Sequence, residues 1–172
     1  MDTIINRVAE SGIITIDLKD FYPKAGTTVL DLKDYLFKGL ILKEKDFRDA
    51  LKQTDREQYR GKYVALTCTA DAIIPLWAYM LVTAYLQPVA KGIVFGAEKE
   101  ALQTLMLEHI ANINANDYAG KRIVIKGCGD AVLPEAAYVA ITQKLRPVVK
   151  SLMYGEPCST VPVYKAPVAG TQ

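Results

Sequence analysis

One eight-residue phrase is spoken twice in this chain, as CTADAIIP at 68–75 and as GCGDAVLP at 127–134. Laid over each other at a fixed offset of 59 without gaps, Tyr59–Gly96 and Tyr118–Gly155 share 14 identities in 38 positions. The shared residues include Gly61/Gly120, Asp71/Asp130, Pro75/Pro134, Tyr79/Tyr138 and Pro88/Pro147, and other pairs exchange like for like, as Val64/Ile123 and Leu66/Ile125 do. An ungapped match that keeps glycines, prolines and an aspartate in step reads as an internal duplication. Two copies are too few for a solenoid, which needs three or more.

Each copy has the same grammar. A Gly-Lys opens a short aliphatic run, KYVALTC or KRIVIKGC, with the composition of a buried strand. The repeated phrase follows as a turn, with Asp71 and Asp130 placed as helix N-caps and Pro75 and Pro134 in the first helical turn. Positions 75, 78, 79, 82, 86 and 89 fall on one helical stripe, which predicts a packing face common to both copies. Pro88 and Pro147 end the helix, and KGIVFG and KSLMYG read as second strands.

Between the copies, AEKEALQTLMLEHIANIN (97–114) predicts a helix with Leu102, Leu105, Met106, His109 and Ile113 in register. At the N-terminus, two alternating stretches flank YPKAGT and suggest a hairpin or a pair of edge strands, and KEKDFRDALKQ (43–53) predicts a helix. DLKD, at 17–20 and again at 31–34, reads as the wet face of strands, and KEKDFR as a solvated helix start or a docking patch for an acidic partner. The expectation is a single α/β domain: a duplicated β-turn-α-β unit (59–96 and 118–155) forming a mainly parallel sheet, preceded by a β-hairpin and a helix within 12–55. The end, 166–172, has the composition of a flexible tail.

Composition narrows the classes of function. Twenty-one basic against nineteen acidic side chains leave a net charge of +2, without the clustered basic stripe that nucleic acid demands. The stretch from Ala72 to Ala90 carries no charge and is about as long as a bilayer span. Pro75, Pro88, Thr83 and Gln87 interrupt it, and its second copy carries Glu135, Lys144 and Arg146, so it reads as a helix central to a core or to a homodimer interface rather than a membrane segment. The start lacks the pattern of a secretory signal, and three cysteines make no disulfide framework, so a cytoplasmic location is expected.

The motifs DFYP (20–23), LFKGLILKEKDFR (36–48), ADAIIPLWAYML (70–81), KGCGD (126–130) and MYGEPCSTVPVYK (153–165) resemble those of an uncharacterised bacterial family classed as a domain of unknown function. The resemblance runs from about Ile14 to Lys165, and departs at Arg56, where the family pattern has a tryptophan. It implies a gene often encoded near iron–sulfur cluster assembly factors, and assigns no residue a role.

Ligands of parallel α/β sheets bind beyond the carboxyl ends of strands. The repeated phrase puts Cys68 and Cys128 at such ends, with Asp71 and Asp130 beside them and Cys158 shortly after the second copy closes. If they converge, these five residues offer a thiolate-rich set suited to an iron–sulfur cluster or zinc. Against this, no CxxC chelate is present. Free cysteines often serve as small buried hydrophobes, and the aspartates are caps first. Cys158 is also the candidate nucleophile of a thiol enzyme, but the sole histidine, His109, sits on an apolar helical stripe where a packed side chain is the simpler reading. No phosphate-binding glycine motif is present, and Trp77 and Tyr79 read as core or dimer-interface aromatics. Three readings stand: an accessory protein of iron–sulfur or metal metabolism, acting through cysteines or by docking to assembly factors; a thiol-dependent or small-molecule-binding enzyme; and an interaction domain with inert cysteines.

Overall fold

The computed structural model describes residues 12–127, 133–156 and 159–168, together with the backbone of 6–7. In chain order the strands are β1 (Asn6–Arg7), β2 (Ile13–Asp17), β3 (Thr27–Asp31), β4 (Tyr63–Thr67), β5 (Gly92–Phe95), β6 (Arg122–Lys126), β7 (Ser151–Glu156) and β8 (Ser159–Lys165). The helices are α1 (Glu44–Gln53), α2 (Leu76–Leu86), α3 (Glu98–Ala111) and α4 (Glu135–Leu145), with 3-10 turns at Leu18–Phe21, Leu32–Tyr35, Arg56–Tyr59 and Ala115–Tyr118. The fold class is α/β. The chain forms two compact units: an inserted unit, Pro23–Leu105, and a split unit, Met1–Tyr22 with Met106–Gln172.

In the inserted unit, β3, β4 and β5 make a parallel sheet with β4 in the middle. Four of the five β4 residues are buried, as expected of a central parallel strand covered on both faces. Phe47 and Leu51, one turn apart on α1, and Ala78, Val82 and Leu86, on one stripe of α2, pack with Leu30, Leu32, Val64 and Leu66 into its core. Each fully buried aliphatic side chain stabilises the unit by about 1.5–3 kcal/mol relative to exposure. Trp77 joins this cluster against Phe47, ring centroids 6.1 Å apart, so it is a core aromatic as its sequence context suggests.

In the split unit, β2, β6 and β7 make the equivalent parallel sheet, with β1 added antiparallel to β2 and β8 antiparallel to β7. Its core holds Ile16, Leu18, Met106, Ile110, Ile123, Ile125, Ala137, Ile141 and Leu145. β8 contains Pro162, which a central strand excludes. It is accommodated because β8 is the outer strand and the β7–β8 register shifts between Leu152 and Met153.

The two units correspond element by element. At the offset of 59, β4, α2 and β5 coincide with β6, α4 and β7, each beginning at the matching residue, and the 3-10 turn at Arg56–Tyr59 coincides with that at Ala115–Tyr118. Gly61 and Gly120, at φ +67° and +69°, both donate an amide across to the carbonyl of Val89 or Val148, at 2.9 and 2.8 Å. The positive φ is why each copy opens on glycine. The correspondence extends upstream of the sequence repeat: Phe47 and Leu51 map onto Met106 and Ile110, buried in the same way, and Asp55 maps onto Asn114, each accepting a backbone amide two residues on. It also takes in β2 and β3, at an offset of 14, where Asp17 and Asp31 cap Lys19 and Lys33.

Five sequence expectations need correction. β2 and β3 do not form a hairpin; each pairs in parallel with the first repeat strand of its own unit, β6 or β4, because the buried faces they must cover lie there. The expected sheet is accordingly two sheets. The DLKD segments are capped 3-10 turns, not the wet face of strands. Asp71 does not cap α2: Pro75, with ψ 137°, is itself the N-cap residue of α2, and Pro134, with ψ 143°, is that of α4. α3 buries Ala101, Leu105, Met106 and Ile110, a stripe displaced by one residue from the expected one, with Leu102, His109 and Ile113 half-buried at its margin. Among the described residues, no helix is long and apolar enough to cross a membrane.

Candidate functional site

The carboxyl ends of β3 and β4 in the inserted unit hold the part of the expected cysteine site that the structure describes. Asp31, the last residue of β3, is half-buried, its side chain 10 % exposed, and accepts the amides of Lys33 and Thr69, each at 3.0 Å, and the Thr69 hydroxyl at 2.5 Å. Burial alone would raise the Asp31 carboxyl. The hydrogen bonds from Thr69 and Lys33 together outweigh it and hold the group at about 2. This carboxylate is fully engaged as a tie between two strand ends.

Cys68 is half-buried beside it, its thiol directed to the Ala70 carbonyl at 3.8 Å. The phenol of Tyr79 is raised by burial and, second, by the neighbouring Cys68. Asp71 is exposed. Cys128, Asp130 and Cys158 lie outside the described residues. Among the described residues, no three His, Cys, Asp or Glu side chains group to hold a metal ion. His109 is half-buried in the split unit, its Nδ1–H donating to the Phe21 carbonyl at 2.8 Å, as the packed reading expects.

In the split unit, an open cleft of about 610 Å³ is lined by Glu135, Tyr138, Val139 and Thr142 from one face of α4, by Tyr154 of β7 and by Val163 of β8. The rings of Tyr138 and Tyr154 meet edge to face, 5.9 Å apart. Tyr138 also lies over Gly127, donating to its carbonyl at 3.5 Å. A side chain at 127 would meet the Tyr138 hydroxyl and require the phenol to move, whereas the other copy holds Cys68 at the matching position with Tyr79 beside it.

The matching face of the inserted unit is built from Leu76, Tyr79, Met80 and Thr83 of α2 and Phe95 of β5. Tyr79 and Phe95 repeat the edge-to-face contact at 5.5 Å. Among the described residues there is no counterpart of β8 here. Leu76, Met80 and Phe95 are 80, 72 and 71 % exposed, with Ile73 at 94 % just ahead of the helix. α2 carries no acidic residue in its first turn and no basic residue in its last. Position 76 is Leu here and Glu135 in the other copy, a difference visible in the sequence. The uncharged run read there as a central helix thus has two faces. Ala78, Val82 and Leu86 are core, while Leu76 and Met80 form an open apolar surface.

Comparison with known proteins gives one match. The family model described as protein of unknown function, DUF2480, matches residues 2–166. No curated protein and no solved structure matches.

Proposed function

The chain belongs to the DUF2480 family, and we propose that it acts as an accessory protein that works by docking, with the α2–β5 face of the inserted unit as its contact surface. The observation that carries this reading is the group Ile73, Leu76, Met80 and Phe95, four large apolar side chains each more than two-thirds exposed. Contiguous apolar surface of this kind is unfavourable in water unless it is covered in the working state. The edge-to-face contact with Tyr79 holds Phe95, one of the four, in place before any partner arrives. Iron–sulfur or metal metabolism remains the proposed setting. Docking to assembly proteins requires no convergence of Cys68, Cys128, Cys158, Asp71 and Asp130 and no resident cluster or zinc. A photo-activatable diazirine side chain placed at position 80 in living cells tests the reading. A protein cross-link at 80, with none at exposed position 45, is expected; quenching by water alone at both positions would rule the docking face out.

A second reading concerns the cleft of the split unit. Its volume and its mainly apolar lining with a few polar groups suit a small molecule. Fragment screening by ligand-detected NMR, with Tyr138→Ala and Thr142→Val as controls, tests it. Hits that persist in both variants would place binding elsewhere.

A further inference from the structure

β5 is an outer strand, with β4 on one side and, among the described residues, no strand on the other. Its counterpart β7 carries β8 antiparallel along that outer side, and Val163 of β8 walls the cleft. The split unit therefore shows what an added strand does at this position: it satisfies the edge and walls a cleft beside the helix, where Val139 and Tyr154 are still 58 and 44 % exposed. In the inserted unit the edge and the helix face are both open. An open edge beside exposed Phe95, Met80 and Leu76 is a template for pairing with another chain.

Resting on the docking reading above, we infer that the occupant is a second copy of this chain: two β5 strands pair antiparallel about a two-fold axis, and the two α2 faces close over each other. Charge supports this occupant. Ala72–Ala90 holds no charged residue, so the surface offers no field that would select a charged partner, and it meets no like charge when it faces itself. Pairing Val94 with Val94 of the second copy sets Ile93 opposite its Phe95 and each Lys91 opposite an Ala97, so the two Lys91 side chains fall at opposite ends of the ribbon. The area is sufficient. Ile73, Leu76, Met80 and Phe95 present on the order of 600 Å² per copy, or about 1,200 Å² for the pair, the lower end of stable interfaces. Four paired residues alone make only a marginal sheet, so the helix faces must carry much of the affinity. The contact is isologous, and closing it leaves no further edge at β5.

Sedimentation velocity and light scattering on the full chain test the inference. The wild type is expected at twice the chain mass at micromolar concentration. Met80→Glu and Phe95→Lys are expected to sediment as monomers with unchanged circular dichroism, and the milder Met80→Ser to weaken the dimer by about tenfold or more. Val139→Glu, the matching change in the split unit, should leave the dimer intact. A wild type that is monomeric up to about 100 µM overturns the inference. So does a dimer that tolerates Met80→Glu, Phe95→Lys and Met80→Ser alike. Should the wild type be monomeric while position 80 still cross-links to a different protein in cells, the second copy is rejected and the docking reading stands.

Discussion

Thr69 donates both its amide and its hydroxyl to the Asp31 carboxylate, at 3.0 and 2.5 Å, and so ties the loop after β4 to the end of β3. The pair spans 38 residues of chain and fixes the strand-end loop that also carries Cys68.

Because the Asp31 carboxyl is held at about 2 against an ordinary 3.8, its contribution to stability is fully present above pH 3.8 and fades as the pH falls toward 2. Asp31→Asn should destabilise the chain by about 1–3 kcal/mol at neutral pH and flatten the acid limb of the stability curve. Urea denaturation between pH 2 and pH 7 measures both; an acid limb of equal steepness in the variant would contradict the assignment.

Gly127 lies beneath the Tyr138 hydroxyl, so a methyl group there has to displace the phenol. Gly127→Ala should cost about 1–3 kcal/mol by overpacking, and Tyr138→Phe should recover part of that loss. Thermal melts of the two single variants and the double variant give the coupling; strictly additive losses would refute the contact.

The two faces of α2 should respond in opposite ways to truncation. Leu86→Ala, at a fully buried position, should destabilise by about 2–5 kcal/mol. Met80→Ala should change the stability of the monomer by no more than about 0.5 kcal/mol. Equal losses in denaturant titrations, performed on the Phe95→Lys background so that association does not contribute, would contradict the orientation of the helix.

Lys38, at φ +50°, is the one described non-glycine residue in the left-handed region, and with Gly39 at +71° it forms the tight turn that joins Phe37 to Leu40. Such turns favour Asn or Gly at this place. Lys38→Asn should stabilise by about 0.5–1 kcal/mol, read as a rise in melting temperature; a fall would show that the lysine side chain, which lies 5.4 Å from the Phe37 ring centroid, outweighs the backbone strain.

How far the sequence could be read depended on where its signals were strong. Glycine, proline and tyrosine identities marked the ends of β4, α2, β5 and their counterparts, because those positions are fixed by backbone geometry and tolerate few substitutions. The extension of the correspondence to α1 and α3 was invisible. Phe47/Met106 and Leu51/Ile110 conserve burial while changing identity, and an apolar site accepts many side chains. Alternation in ITI and TVL announced strands but not their partners, since period two sets a face and not a neighbour; hence the expected hairpin and the observed parallel pairings. Asp71 had the right chemistry for a cap at the wrong distance, five residues ahead of α2. Of the proposed metal set, only Cys68 and Asp71 fall within the described residues, and they sit at a strand-end loop as expected without a third ligand beside them. The exposed face was half legible. The uncharged run pointed to a hidden surface, and only the structure showed which side of the helix is core and which is exposed.

Hydrogen exchange at the β5 amides bears most directly on that face. In the full chain the amides of Ile93 and Phe95, on the side of β5 away from β4, are expected to exchange slowly, and to speed up by at least about tenfold in Met80→Glu while those of the central strand β4 stay protected. Rapid exchange at both amides in the wild type, at the same rate as in the variant, would contradict the claim that this edge and the helix beside it are covered in the working protein.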